Sequence, residues 1–177
     1  MGDSISAEAA CNRRTLVQKR EISLEQCHQF ADDGYLWAII DACDIPATAK
    51  KLSSLSPDRA RALLQPDYWA VAPYLVYLDS ETLCWLCKDL WTIPWGIFVM
   101  SKKPVDELFA HFVALLVRRL PDGKDWFFRY YDPRVLPPFL ETCNTEELKA
   151  FYGPVRGYAV GNHTTGQCTA FVPMFGF

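Results

Sequence analysis

The 177-residue sequence has no cluster of positive charge: no run of Lys or Arg exceeds a pair, as at Arg13-Arg14, Lys102-Lys103 and Arg118-Arg119. A protein that grips a phosphate backbone needs a basic face, and a chain with a formal net charge of -3 and only such doublets offers none. Binding to DNA or RNA is therefore not expected. The sequence also lacks the roughly 18 consecutive apolar residues that a membrane span requires, so no membrane insertion is expected. Residues 1 to 15 are polar and alanine-rich without an apolar centre, which argues against a secretory leader. The start MGDSIS fits the myristoylation pattern of Gly2 followed by Ser6, but so loose a pattern recurs by chance. No G-x-G-x-x-G or P-loop string occurs, so a nucleotide site is unsupported and no cofactor is expected.

Histidine is scarce, with His28, His111 and His163 in no H-x-x-x-H spacing, and there is no second C-x-x-C to complete Cys84-Trp85-Leu86-Cys87 as a zinc site. The alternative reading of that motif, a redox dithiol, needs the first thiol where a strand opens into a helix. Here Cys84 falls about a turn into an apolar helical pattern beside Leu83 and Leu90, so packed thiols are the better reading. Cysteines number seven, odd and scattered, as free thiols in a reducing, cytoplasmic compartment would be.

What the sequence does have is apolar mass: half of it is hydrophobic and 14% aromatic, enough to close one core without disulfides or metals. The runs alternate in kind. YLWAIIDAC (35-43), VAPYLVYLD (71-79) and WGIFVMS (95-101) are continuous apolar stretches, as strands covered on both faces would be. A fourth strand is read at 125-131, and VRGYAV is a further extended stretch. Between them lie helices: one capped by Ser23, one with Pro46 near its start, one starting at Ser56-Pro57, and one over TLCWLCKDLW capped by Asp79 or Ser80. The clearest is PVDELFAHFVALLVRRL, with acids in its first turn, Arg118 and Arg119 in its last, and Val105, Leu108, Phe109, Phe112, Leu115 and Leu116 as its apolar stripe. The segment just before Pro121-Asp122-Gly123 can equally be read as one arm of a hairpin. A helix is read from Asp132-Pro133 to about Thr142, and another is capped by Thr145. The sum is an α/β fold with a single mixed β-sheet flanked by helices: a mobile N-terminal arm at 1-22, the domain at 23-160, and a short aromatic C-terminal tail at 161-177.

The stretch FFRYYDPRVL (127-136) places Arg129 and Asp132 among rings and aliphatics. On a strand, Phe127, Arg129 and Tyr131 would share one face, so the Arg129 guanidinium could stack on a ring. Asp132 precedes Pro133, which disfavours helical backbone at the aspartate while suiting the first helical position itself; Asp132 then reads as an N-cap.

Taken together, APYLVYL, WGIFVMS, ELFAHFVALLVRRL, DGKDWFFRYYDPRVL and EELKAFYGPV resemble the DUF4123 family of bacterial proteins, over about Tyr35 to Val160. The resemblance implies an adaptor chaperone of the type VI secretion system, which binds a secreted effector protein in the cytoplasm and helps load it onto the spike protein. The family's R-x-x-D-P motif falls on Arg129, Asp132 and Pro133, with Tyr131 inside it. Many family members carry a second C-terminal lobe, whereas here only the tail GNHTTGQCTAFVPMFGF follows the shared region.

An adaptor is not an enzyme, and its site should be marked by exposed aromatics; Trp91, Trp95, Phe171 and Phe175 are the partner-binding candidates. The competing reading is a small cytoplasmic enzyme using a thiol or the Arg129/Asp132 pair, which predicts a concave pocket walled by those groups.

Overall fold

The computed structural model describes residues 16-119 and 125-175; the MGDSIS start, Cys11 and the Pro121-Asp122-Gly123 turn lie outside them. Nine strands and six helices follow in the order β1 (Val17-Ser23), α1 (Leu24-Asp32), β2 (Leu36-Asp41), α2 (Pro46-Ser53), β3 (Ala60-Ala62), β4 (Pro73-Tyr77), α3 (Ser80-Asp89), β5 (Gly96-Met100), α4 (Val105-Leu116), β6 (Val117-Arg119), β7 (Asp125-Phe127), α5 (Leu136-Thr142), α6 (Thr145-Tyr152), β8 (Gly157-Asn162) and β9 (Gln167-Pro173) among the described residues.

Seven strands form one sheet in the order β1-β9-β8-β5-β2-β4-β3. The α/β class with a helix-flanked sheet is as read from the sequence. The strand directions are not mixed, since every neighbouring pair in it is antiparallel. β4 and β5 lie on either side of β2, so the connection through α3 crosses over it.

The apolar runs make this arrangement possible. In β2, Ala38 and Ile40 face one core layer with Phe98 of β5 and Val76 of β4, while Trp37 and Ile39 face the other with Ile97, Val99 and Leu75. Alternate side chains point to opposite faces, so a run apolar at every position is covered twice. The first layer packs against Cys27 and Ala31 of α1, Ala49 and Leu52 of α2, and Leu83 and Leu86 of α3. The second packs against Leu108 and Phe112 of α4, Leu140 of α5, and Leu148 and Phe151 of α6.

Local caps fix the helix starts. Ser23 Oγ accepts the Gln26 N-H and the Gln26 side chain accepts the Ser23 N-H, a reciprocal capping box. Asp79 caps α3 through the Thr82 N-H. At α6 the cap is Asn144 rather than Thr145, because Glu147 then sits three residues on and closes a second capping box.

Several readings are corrected. The arm expected at 1-22 contains β1, whose residues pair from Val17 with Pro173 to Ser23 with Gln167; an edge strand carrying Lys19, Arg20 and Glu21 is polar because it borders water. The tail expected at 161-177 contains β9, which lies between β1 and β8. No helix starts at Ser56-Pro57: a single turn, closed by Arg59 N-H to Ser56 O, leads directly into β3. The helix expected through Arg118 and Arg119 ends at Leu116, since Val117 turns extended and pairs with Phe127. The strand read at 125-131 is correspondingly only β7, one arm of a separate two-stranded ribbon with β6, as the hairpin alternative foresaw.

Candidate functional site

At one end of the sheet, four neighbouring strands present their ends side by side: Val160-Asn162 of β8, Gly96 of β5, Asp41 of β2 and Pro73 of β4. At a strand spacing near 4.8 Å this row spans about 14 Å. The R-x-x-D-P segment is fastened to it by Arg129, which extends a guanidinium to the Asp41 carboxylate with Nη2 2.6 Å from Oδ2. The other carboxylate oxygen of Asp41 accepts the Cys43 N-H, and its backbone N-H donates to Trp95 O, so the aspartate is held from three directions.

Arg129 does not sit on a strand, because the ribbon ends at Phe127 and the chain turns. Tyr130 is the pivot: it is fully buried, stacks on Phe112 at 5.9 Å and donates its hydroxyl to Phe112 O. The guanidinium of Arg129 lies 5.8 Å from the Tyr131 ring, so the ring contact expected from the sequence is present although the strand is not. Tyr131 is buried, and burial followed by the Asp41 charge pushes its hydroxyl up to about 12.

Asp132 caps a turn, not the helix itself. Its Oδ1 accepts the Arg134 N-H, and its two carboxylate oxygens accept Nε and Nη2 of Arg134 at 2.9 and 2.7 Å. The Asp132 carbonyl takes the N-H groups of Val135 and Leu136, and α5 starts only at Leu136. The Arg134 hydrogen bonds hold the Asp132 carboxyl below its ordinary range. Arg134, whose partner role the sequence did not suggest, leaves 71% of its side chain exposed.

Beside Arg134 runs a cleft of about 320 Å³ lined by Trp91, Ile93, Pro133, Val160 and His163. Gly161 admits the indole: a Cβ there would come within 3.0 Å of the Trp91 ring. Gly96, with φ +147, lets β5 start against β2, where a Cβ would meet Ile39 O at 1.9 Å. Further along the same sheet end, the loop leading into β4 exposes Tyr68, Trp69 and Val71 at 55%, 45% and 48%. Tyr74 Oη donates to Trp69 O and holds that loop in place.

The aromatic candidates separate. Trp91 is half-buried and lines the cleft. Trp95 also borders it but is 4% exposed and packs edge-on against Phe98, while Phe171 is 2% exposed in β9; both are core residues, not exposed markers. Phe175 is partly buried near Tyr152, away from the cleft. The sequence does not single out Tyr68, Trp69, Ile93 and Arg134, because position in sequence does not reveal which side chains a fold leaves outside.

Burial moves several of the thiols away from reactivity. Burial pushes Cys87 and Cys143 up to about 11. Cys27 and Cys168 are fully buried with sulfurs 3.9 Å apart. Cys84 is exposed, contrary to the packed reading, because Leu83, Leu86 and Leu90 take the buried side of α3. Cys143 borders a second cavity, about 420 Å³, formed by Leu115, Phe128, Phe139 and Phe151; its thiol and the Thr142 hydroxyl both donate to Phe139 O. His111 Nε2-H donates to Phe151 O, and burial lowers its pKa, so it serves as a neutral brace between α4 and α6. Among the described residues no three His, Cys, Asp or Glu side chains converge as a metal site requires, and no helix is long and apolar enough to cross a membrane.

The model of a domain of unknown function, DUF4123, matches residues 36-150, more than half of the chain. The chain belongs to the DUF4123 family. The matched region runs from β2 into α6 and contains Asp41, Trp91 and the whole R-x-x-D-P motif of this DUF4123 chain, while β1, β8 and β9, which complete its sheet, lie outside. No curated protein and no solved structure gives a significant match.

Proposed function

We propose that this DUF4123 protein is an adaptor chaperone that binds a type VI secretion effector in the bacterial cytoplasm and promotes its loading onto the spike protein. The observation that carries the reading is the composition of the sheet end: the charged groups of the motif are held in ion pairs, and large apolar side chains stand exposed at the same end. Arg129 is paired with Asp41 and Arg134 with Asp132, while Tyr68, Trp69, Val71 and Ile93 stand exposed at the same end of the sheet. Interfaces draw their affinity from such aromatic and aliphatic anchors with arginine beside them.

The pKa directions support the same reading. General acid-base chemistry needs a group poised near the working pH, whereas in the motif Asp132 is pushed down and Tyr131 is raised to about 12.

The test is affinity purification of the tagged full chain from its own host, with identification of what stays bound. A secreted effector or a spike protein in the eluate supports the adaptor. A protein that elutes alone and turns over a small molecule contradicts it.

A further inference from the structure

The cleft beside the motif is apolar on its walls and cationic at one point. Trp91, Ile93, Pro133 and Val160 supply the walls, and Arg134 is the one charged side chain among its described lining residues. Among the described residues no carboxylate lines it. Asp132, the counter-ion, lies behind the arginine with 8% of its side chain exposed, whereas Arg134 faces outward with 71%.

The guanidinium is also aimed. Its Nε and Nη2 are both committed to Asp132, and the same carboxylate accepts the Arg134 backbone N-H, so head and root of the side chain are fixed by one partner. Among the described residues Nη1 has no hydrogen-bond partner. A planar fork held on one edge presents its remaining donors in a set direction, and guanidinium donors match a carboxylate. The preorganised side chain has little rotamer freedom left to lose on binding.

We propose that this cleft recognises a short segment of a partner protein in which a Glu or Asp side chain is flanked by apolar residues, the carboxylate meeting Arg134 and the apolar neighbours meeting Trp91 and Ile93. The proposal deepens the adaptor reading and rests on it. The cleft, about 320 Å³, is at the small end of binding pockets, so it seats a few side chains and not a folded face. Gly161 is part of the device, since a Cβ there would come within 3.0 Å of the Trp91 ring that forms the wall and crowd it.

The test uses the full chain and three fluorescein-labelled peptides read by anisotropy: Gly-Leu-Ile-Glu-Leu-Phe-Gly blocked at both ends, the same peptide with Gln in place of Glu, and the Gln peptide with a free terminal carboxylate. The blocked Glu peptide should bind roughly three- to tenfold tighter than its Gln counterpart, the range expected between an exposed ion pair and a charge-assisted hydrogen bond. That advantage should disappear in Arg134→Gln, persist in part in Arg134→Lys, and survive in Trp91→Ala, which should weaken both blocked peptides alike. Equal binding of the two blocked peptides to wild type, an advantage retained by Arg134→Gln, or no binding at all overturns the assignment. Tightest binding of the free-terminus peptide overturns it as well, by making a chain terminus the ligand. The comparison on wild type does not depend on any variant folding. Failure here with an effector still captured from the host removes the cleft assignment alone; loss of both removes the adaptor.

Discussion

Arg129 and Asp41, 88 residues apart in sequence, meet with Nη2 and Oδ2 2.6 Å apart and tie the turn after the ribbon to the end of β2. The arginine side chain is 54% exposed and the aspartate 13%, so water screens one side of the pair. A coupling of about 0.5 to 1 kcal/mol is expected from a double-mutant cycle of Arg129→Ala and Asp41→Ala in urea unfolding. Arg129→Ala alone should weaken folding or partner binding. An Arg129→Ala protein that melts like wild type and still captures its partner contradicts the bracing role.

Asp132 makes stability sensitive to acid. Its folded pKa is depressed, first by the Arg134 hydrogen bond. The stabilisation is therefore fully present above the ordinary carboxylate value of about 3.9 and is lost as pH falls through the lower folded value. Asp132→Asn should cost about 1 kcal/mol at pH 7, and the gap from wild type should begin to narrow below about pH 4. A gap that stays constant down to pH 3 would refute the linkage.

Gly96 is the position where the backbone leaves no choice. With φ +147 and Ile39 O at 1.9 Å from the place of a Cβ, Gly96→Ala forces β5 away from β2. A loss of about 3 kcal/mol or more is expected, visible as a large drop in melting temperature. Gly166, also at positive φ but with open space around its Cβ position, should tolerate Ala at a smaller cost.

Much of the central sheet was legible because burial on both faces leaves an unmistakable mark: β2, β4 and β5 are nearly unbroken apolar runs. Ser23 and Asp79 likewise announced their helices through local hydrogen-bond chemistry. The edges were not legible. β1 exposes Lys19, Arg20 and Glu21 to water, so its polarity resembles a loose arm until β9 is known to lie beside it. β9 follows a Gly/Thr-rich loop that turns out to be a hairpin, in which Asn162 Oδ1 takes the N-H groups of Thr164 and Thr165. Arg129 stands out in the sequence as a charge among rings, but its partner, Asp41, is 88 residues away and is brought to it only by the fold. Trp95 and Phe171 were chosen for their type, and the fold spends both on the core while exposing Tyr68 and Trp69.

The thiols should sort by exposure. Among the described cysteines, brief treatment of the native protein with iodoacetamide should label Cys84 first, with Cys27 and Cys168 protected until the fold opens, as read by peptide mass mapping. Replacing Cys84 and Cys87 together by Ala should leave partner capture intact. Loss of function with folding retained would revive a thiol chemistry.

The central claim is that the sheet end carrying the motif is where a partner protein binds. Hydrogen-deuterium exchange on the full chain, alone and with the partner that co-purifies from the host, tests it most directly. Protection should concentrate at residues 41-43, 68-72, 91-96, 129-134 and 160-163, and Tyr68→Ser with Trp69→Ser should reduce capture at least tenfold while shifting stability by less than about 0.5 kcal/mol. Protection confined to α4, α5 and α6, with capture undiminished in the double variant, would contradict it.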